Sequence, residues 1–82
     1  MNLYLISQDA VGGYDTYDSA VVVAENEEAA SHIHPSGEGA TLEEKARWYT
    51  WCTNPKDVQV KLIGTALPGA EVGVVCASFN AG

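Results

Sequence analysis

The sequence predicts an α+β fold: a four-stranded, mostly antiparallel sheet, ordered ββ-α-(α)-ββ along the chain, with helix on one face. Three observations favour it. Four segments show the apolar runs or the two-residue alternation typical of strands. Two others begin with helix-capping residues. The length of 82 residues, 46% of them hydrophobic, allows one domain over residues 1–82 but not two separate cores.

The first two strands are expected over residues 3–8 and 19–25. In the first, successive side chains alternate between two faces. The second contains the run AVVVA, which is apolar on both sides, as in a strand covered on both faces. The segment DAVGGYDTYD between them is rich in Gly and Asp and is expected to form a loop. An antiparallel pair is the simplest connection.

A short helix is expected to start after Asn26, whose side chain can accept hydrogen bonds from the first-turn N–H groups. Glu27 and Glu28 then face the positive end of the helix dipole. Pro35 should end the helix after about two turns. The residues expected to face inward are Ala29, Ala30 and Ile33.

A second helix is expected from Thr41 to Cys52. Thr41 and Glu44 match a capping box, in which each side chain bonds the backbone amide of the other. One face of this helix carries Leu42, Ala46 and Tyr49. The motif Thr53-Asn54-Pro55 should stop it.

The last two strands are expected over residues 58–66 and 72–79, separated by the turn signal Pro68-Gly69. The third alternates Val58, Val60 and Leu62 with more polar residues, which indicates one wetter face. Strands two and four are apolar on both sides, so we expect the second face of the sheet to be covered as well. A homo-oligomer could supply that cover.

Charge is distributed unevenly along the chain. The first 44 residues hold nine carboxylates and no Lys or Arg, and the net charge is −7. Such a field influences the choice of partner and the rate of encounter rather than the fold. The only four bases, Lys45, Arg47, Lys56 and Lys61, lie late in the chain. Direct nucleic-acid binding, which needs clustered bases, is therefore disfavoured.

The loop and the aromatic cluster are the candidate partner-binding regions. Tyrosine rings and neighbouring carboxylates suit mixed stacking and hydrogen bonding, although such residues also serve turns. Trp and Tyr near Arg47 are typical of interaction hot spots, although a small core also needs large aromatics. The predicted partner-binding residues are Tyr14, Asp15, Thr16, Tyr17, Asp18, Glu27, Glu28, Trp48 and Trp51.

The chain shows no catalytic motif. His32 and His34 are two residues apart, which suits a shared metal poorly on a helix and suits bonding to the last helical carbonyls better. Neither Cys52 nor Cys76 lies in a recognisable activating context. Gly12 and Gly13 precede no phosphate-loop lysine. We expect a binding protein with no metal and no cofactor; a small hydrolase remains an alternative.

The expected compartment is the cytoplasm. No segment approaches the roughly 20 apolar residues of a membrane helix. The first residues, MNLY, lack the basic region of a signal peptide. Without an export signal, the two cysteines are expected to be buried and reduced.

The block GGYDTYDSAVVVAENEEAASHIHP, with VQVKLIGTA and the terminal VVCASFNAG, resembles a family of short proteins of phages and prophages. The resemblance covers most of the chain except SGEGATLEEKARWYTW. It implies a phage setting, and hence the cytoplasm of an infected bacterium, and it carries over no catalytic residue. Small acidic phage proteins of this size resemble stoichiometric inhibitors of host defence, including anti-CRISPR proteins.

Two functional hypotheses follow. In the first, the protein inhibits a bacterial defence protein by occupying its basic, nucleic-acid-binding groove. In the second, an oligomer sequesters a small nucleotide signal, with Tyr14 and Tyr17 stacking on the base and a neighbouring subunit supplying Arg47 or Lys61 to the phosphate. A structural or regulatory phage accessory protein is a further alternative.

Overall fold

The computed structural model describes residues 1–10, 12, 16–36, 51–52 and 54–80. Over these residues the chain forms one four-stranded antiparallel sheet with little helix, an α+β or small β-rich fold. Its elements are β1 (Asn2–Ser7), β2 (Thr16–Ala24), the helix α1 (Glu27–Ser31), a 3₁₀ turn (Pro55–Asp57), β3 (Gln59–Thr65) and β4 (Gly73–Asn80). All four predicted strands are confirmed, with bounds that differ from expectation by at most three residues.

The strands lie in the order β3-β1-β2-β4, and all neighbours are antiparallel. The predicted antiparallel pairing of the first two strands is thus confirmed. β1 and β2 are the two central strands, and β3 and β4 form the edges of the sheet. Central strands are paired on both sides and therefore contribute most to the buried core.

The register of β1 against β2 decides which side chains are buried. Successive side chains of a strand point to opposite faces. Tyr4 lies opposite Val22 and Ile6 opposite Ala20, and all four are buried. We call this side the core face. We call the other side the second face; its central residues are Leu3, Leu5, Val21 and Val23.

One hydrophobic cluster forms on the core face. Ile6 and Val22 at its centre are 0% exposed. α1 contacts β1, β2 and β3 and contributes Ala30 to the cluster. The buried members are Tyr4, Ile6, Ala20, Val22, Ala24, Ala30, Trp51, Cys52 and Val58. The core therefore joins the central strands to residues that are distant in sequence.

α1 begins as predicted, since the Asn26 side chain accepts a hydrogen bond from the Ala29 N–H at 2.8 Å. The helix ends earlier than expected, at Ser31. His32 and Ile33 donate their backbone N–H groups to carbonyls three residues back, which tightens the chain out of the α-helix before Pro35 is reached. With the helix this short, Ala30 is buried but Ala29 is exposed, so the predicted inward position of Ala29 is wrong.

The predicted second helix lies largely outside the described residues. Its last two positions, Trp51 and Cys52, are described and are buried in the core. The Asn54 side chain accepts from the Lys56 N–H at 3.0 Å and caps the 3₁₀ turn, so the segment predicted to stop the helix also begins a new turn. Within the described chain, no helix combines the length and the apolar composition needed to cross a bilayer.

The edge strands are less buried than the alternation predicts. Val60 of β3 packs against the core, but Leu62 is 55% exposed. A register irregularity opposite Leu3 and Tyr4 lies beside Leu62, so the simple alternation does not hold there. Cys76 of β4 is exposed, and its predicted burial is therefore wrong. An edge strand has a neighbour on one side only, so fewer of its side chains are covered.

We expect Ile6→Ala to lower the free energy of unfolding by about 2–5 kcal/mol, because it leaves a cavity in the fully buried centre of the core. Urea denaturation followed by Trp fluorescence measures this change. Leu62→Ala is the control and should change stability by about 0.5 kcal/mol or less, because Leu62 is exposed. Equal effects of the two substitutions would contradict the core described above.

Asn26→Ala should lower the free energy of unfolding by about 1 kcal/mol, because it removes the acceptor for the Ala29 N–H. Asn26→Asp keeps an acceptor at this position and is expected to preserve stability. The measurement is the same denaturation curve for both variants. If the Ala and Asp variants unfolded together well below the wild type, the cap would not explain the loss.

Candidate binding surface

Three exposed carboxylates lie together where β2 passes into α1. Glu25 follows the strand, and Glu27 and Glu28 occupy the first helical turn. The Asn26 cap holds this turn, and the Ala30 N–H donates to the Asn26 carbonyl at 3.0 Å. We call Glu25, Glu27 and Glu28 the acidic corner. Local backbone bonding therefore fixes the spacing of these three charges.

Two further carboxylates lie at the other end of β2. Asp18 is exposed within the strand, and Asp9 is exposed just beyond β1. The Gln8 N–H donates to the Asp18 carbonyl at 3.4 Å, and Gln8 Nε2 donates to the Tyr17 carbonyl at 3.0 Å. These bonds hold the end of β1 against the start of β2. Asp9 and Asp18 therefore lie at the same end of the sheet.

The acidic residues do not form one continuous patch among the described residues. Asp18 and Glu25 are seven positions apart along β2 and its end, which separates them by about 23 Å at the usual rise of a strand. Of the predicted partner-binding residues, Asp18 thus lies at one end of the sheet, and Glu27 and Glu28 lie at the other. Asp15 lies outside the described residues, as does Tyr14.

The described part of the predicted tyrosine loop belongs to β2. Thr16 is buried, and the Tyr17 ring lies against His34 and Phe79, with centroid separations of 5.9 and 4.7 Å. The strand begins three residues earlier than expected, and this brings Thr16 and Tyr17 into the sheet. Thr16 is buried and Tyr17 is half-buried, whereas Asp18 is at the surface; partner contact through these residues stays a prediction. Stacking of the Tyr17 ring on a nucleotide base would compete with these contacts.

Trp51 is a core residue. Its side chain is 1% exposed and lies in the same cluster as Ile6 and Val22. Partner contact through Trp51 stays a prediction, and it would require this buried ring to become accessible. A sheet this small needs a large side chain to fill the space beneath it, and Trp51 provides one. Trp48, Lys45 and Arg47 lie outside the described residues. The aromatic cluster is thus described only at its buried end.

The two histidines have separate structural roles, and only His32 bonds a helical carbonyl as the sequence predicts. His32 Nδ1 lies 2.8 Å from the Glu28 carbonyl oxygen, where it can donate to the end of α1. His34 is buried, and its Nδ1 accepts from the Ser36 N–H at 3.0 Å. No group of three His, Cys, Asp or Glu suited to a metal ion occurs among the described residues.

A serine and a histidine are adjacent at the end of α1, but their bonding is that of a helix cap. Ser31 Oγ lies 3.3 Å from His32 Nδ1 and donates to the Glu28 carbonyl at 2.6 Å. A nucleophilic serine would instead give its proton to the imidazole. The hydroxyl proton is committed to a backbone carbonyl, and this geometry favours a structural role.

A groove of about 400 Å³ lies between α1 and the 3₁₀ turn. Glu28 and His32 line one side, and Lys56 lines the other. One basic side chain therefore faces the acidic corner across the groove. The sequence separation of these residues hid this proximity, which only the packing of α1 near β3 creates.

The sequence predicts that the apolar residues of strands two and four are covered, but apolar side chains of β4 are exposed. A depression of about 180 Å³ on the sheet is lined by Leu5, Val21 and Cys76, together with neighbouring Ser and Ala residues. Val75 and Phe79 of β4 are also exposed. The signal in the sequence was the segment GVVCASFN, which contains neither a charge nor a proline.

The two thiols differ in environment. Cys52 is buried, and burial, with a smaller contribution from the negative charge of Asp57, raises its pKa to about 11. Its Sγ–H donates to the Asn54 carbonyl oxygen, with the sulfur 3.7 Å from that oxygen. Cys76 is exposed on β4. Cys52 is thus an unreactive core residue, and Cys76 is accessible to reagents.

Comparisons of the chain with protein-family models, curated proteins and solved structures found no match.

The folded protein is expected to react with one equivalent of a thiol reagent at neutral pH, and with two after denaturation. Cys76 is accessible, whereas Cys52 is buried and has a raised pKa. Absorbance of the released thiolate measures the stoichiometry. Cys76→Ser should abolish the native-state reaction, and Cys52→Ser should leave it unchanged. Equal labelling of both thiols in the folded protein would contradict the burial of Cys52.

Proposed function

We propose that this protein is a phage-encoded acidic binding protein that inhibits a bacterial defence system by stoichiometric interaction, in the manner of an anti-CRISPR protein. One observation carries the proposal: all seven described carboxylates are exposed, while only two lysines are described. Such a surface attracts the Lys- and Arg-lined grooves with which defence effectors hold nucleic acid. The resemblance to short phage and prophage proteins supports this setting, with action in the cytoplasm of the infected cell.

The acidic corner is the proposed centre of contact. Three carboxylates within four residues, on a turn held by the Asn26 cap, present negative charge in a fixed arrangement. Pre-organised charges lose less conformational entropy on binding than charges on a flexible segment. Within the described chain no salt bridge engages these carboxylates, so they are available to basic groups of a partner. Asp9 and Asp18 add charge at the far end of β2.

We further propose that helix covers one face of the sheet only. The contacts of α1 with β1, β2 and β3, and the place of Ala30 in the core cluster, support this arrangement. Leu5 and Val21 of the second face are then accessible to another molecule. The protein would bind through its charged ends and retain an apolar surface for a separate contact.

The test is titration of a purified bacterial defence nuclease complex, whose nucleic-acid groove is lined with Lys and Arg, at rising salt concentration. Affinity should fall as salt rises, because screening weakens the attraction between the charged surfaces. The triple variant E25Q/E27Q/E28Q should bind at least about tenfold more weakly.

A matched variant, D9N/D15N/D18N, loses the same number of charges; Asp9 and Asp18 are exposed at the other end of β2 from the acidic corner, and Asp15 precedes β2 in the sequence. It should bind within about twofold to threefold of the wild type if the corner makes the contact. Equal losses in both triples would indicate a dependence on net charge alone. Binding that is indifferent to salt and to both triples would overturn the proposal.

A plating assay extends the test to cells. Bacterial strains that each carry one defence system are infected with a sensitive phage, with and without expression of the protein. Plating should recover in at least one strain with the wild type, and recover poorly with the corner triple. Circular dichroism of each variant confirms that the fold is retained. A failure of recovery in every strain would count against inhibition of those systems.

A further inference from the structure

We infer that β4 is a docking strand for a second copy of this chain, which pairs with it antiparallel about a twofold axis and extends the sheet from four strands to eight. The inference is independent of the proposed function. It rests on the exposed edge of β4, on the composition of that strand and on the charge of the rest of the molecule.

β4 pairs with β2 along one side, and its other side meets no strand of the described chain. Backbone N–H and C=O groups along such an edge can pair with an added strand. The side chains are also uncovered: Val75 is 60% exposed, and Phe79 and residues 76–78 are exposed too. The strand therefore offers both backbone and side-chain contacts.

The two edges of the sheet differ in protection. Proteins commonly guard an edge strand with Lys, Pro or other charges that oppose pairing. β3 carries the exposed Lys61 near its middle, whereas β4 has no charged residue and no proline. β4, and not β3, is therefore the edge that can accept another strand.

The regular part of β4 locates the pairing. The register against β2 shifts beside Val75, which leaves that residue without a partner on β2. Such a bulge bends a strand and discourages pairing at that point. Residues 76–80 follow one another without an extra residue on β4, and Ser78 is at their centre. Antiparallel self-pairing of this stretch places the twofold axis at Ser78.

Charge favours a second copy over a different protein. The chain carries a net charge of −7, so two copies repel each other wherever their carboxylates meet. β4 contributes none of those carboxylates, and Glu71 precedes the strand and lies beyond the paired stretch. A basic partner would be drawn to the exposed carboxylates instead. A neutral strand that opposes itself brings no like charges together.

Symmetry and burial add to the argument. A twofold contact uses the same edge on both copies and closes the assembly at two, so neither β4 edge remains open. The depression between Leu5, Val21 and Cys76 lies beside this edge. Pairing brings two such depressions side by side and enlarges the buried apolar surface, from which a domain of 82 residues gains stability.

Sedimentation velocity from micromolar to millimolar concentration tests the inference. The wild type should shift from monomer to dimer, and the dimer should strengthen with salt because screening reduces the repulsion between acidic copies. The proposed binding to a defence protein weakens with salt, so failure of one proposal is distinguishable from failure of the other. A wild type that stays monomeric over the whole range overturns the inference.

Two substitutions locate the contact. Both Ser78 and Ala77 border the depression, but Ser78 pairs with Ser19 on the second face, whereas Ala77 pairs with Ala20 on the core face. Ser78→Lys and Ala77→Lys each place charge at the paired edge and should raise the dimer dissociation constant at least about tenfold. Leu62→Lys makes a comparable change on the other edge and should leave dimerisation unchanged. Loss with Ser78→Lys alone would indicate stacking of second faces and overturn edge pairing, as would loss with Leu62→Lys alone.

Amide hydrogen exchange by NMR gives a readout that does not depend on substitution. Edge pairing should slow exchange at alternate N–H groups of β4 as the concentration rises, with no change in β3. Protection of β4 that does not vary with concentration, in a sample that sedimentation shows to dimerise, would place the contact elsewhere and overturn the inference.

Discussion

The pairing of β1 with β2 is the constraint on which the rest of the structure depends. Its register sets Tyr4 opposite Val22 and Ile6 opposite Ala20. A slip of one residue would move each of these side chains to the other face of the sheet and expose the core. Ala30 and Trp51 pack against the core face, so their burial depends on this register. The central strand pair thus decides which surfaces remain for binding.

The same pairing explains where the acidic residues lie. The interior of β2 is uncharged from Ser19 to Ala24, because charged side chains are costly to bury in a central strand. Charge is therefore confined to positions that flank this interior, at Asp18 and at the acidic corner. A sequence that is acidic over its first half becomes a molecule that is acidic at two ends of a sheet. Each end can meet a partner separately.

The two proposed contacts use different parts of the surface. The acidic corner attracts basic groups over a distance and is sensitive to salt. The edge of β4 has no charge and is suited to backbone pairing at short range. Since the two features are different parts of the surface, self-association and partner binding are compatible in one small protein. Dimerisation would also present the acidic corner twice, and two linked contacts bind more tightly than one.

The sequence by itself determined the four strands, the antiparallel pairing of the first two and the Asn26 cap, because these depend on local periodicity and backbone hydrogen bonding. Only the tertiary structure decided that Trp51, Thr16 and Tyr17 are drawn into the sheet and its core, and that Leu62 and Cys76 are exposed. Burial depends on strand order and on contacts between distant residues, which no local pattern records. Strand order also placed β4 at an edge, and so turned an apolar strand into a surface.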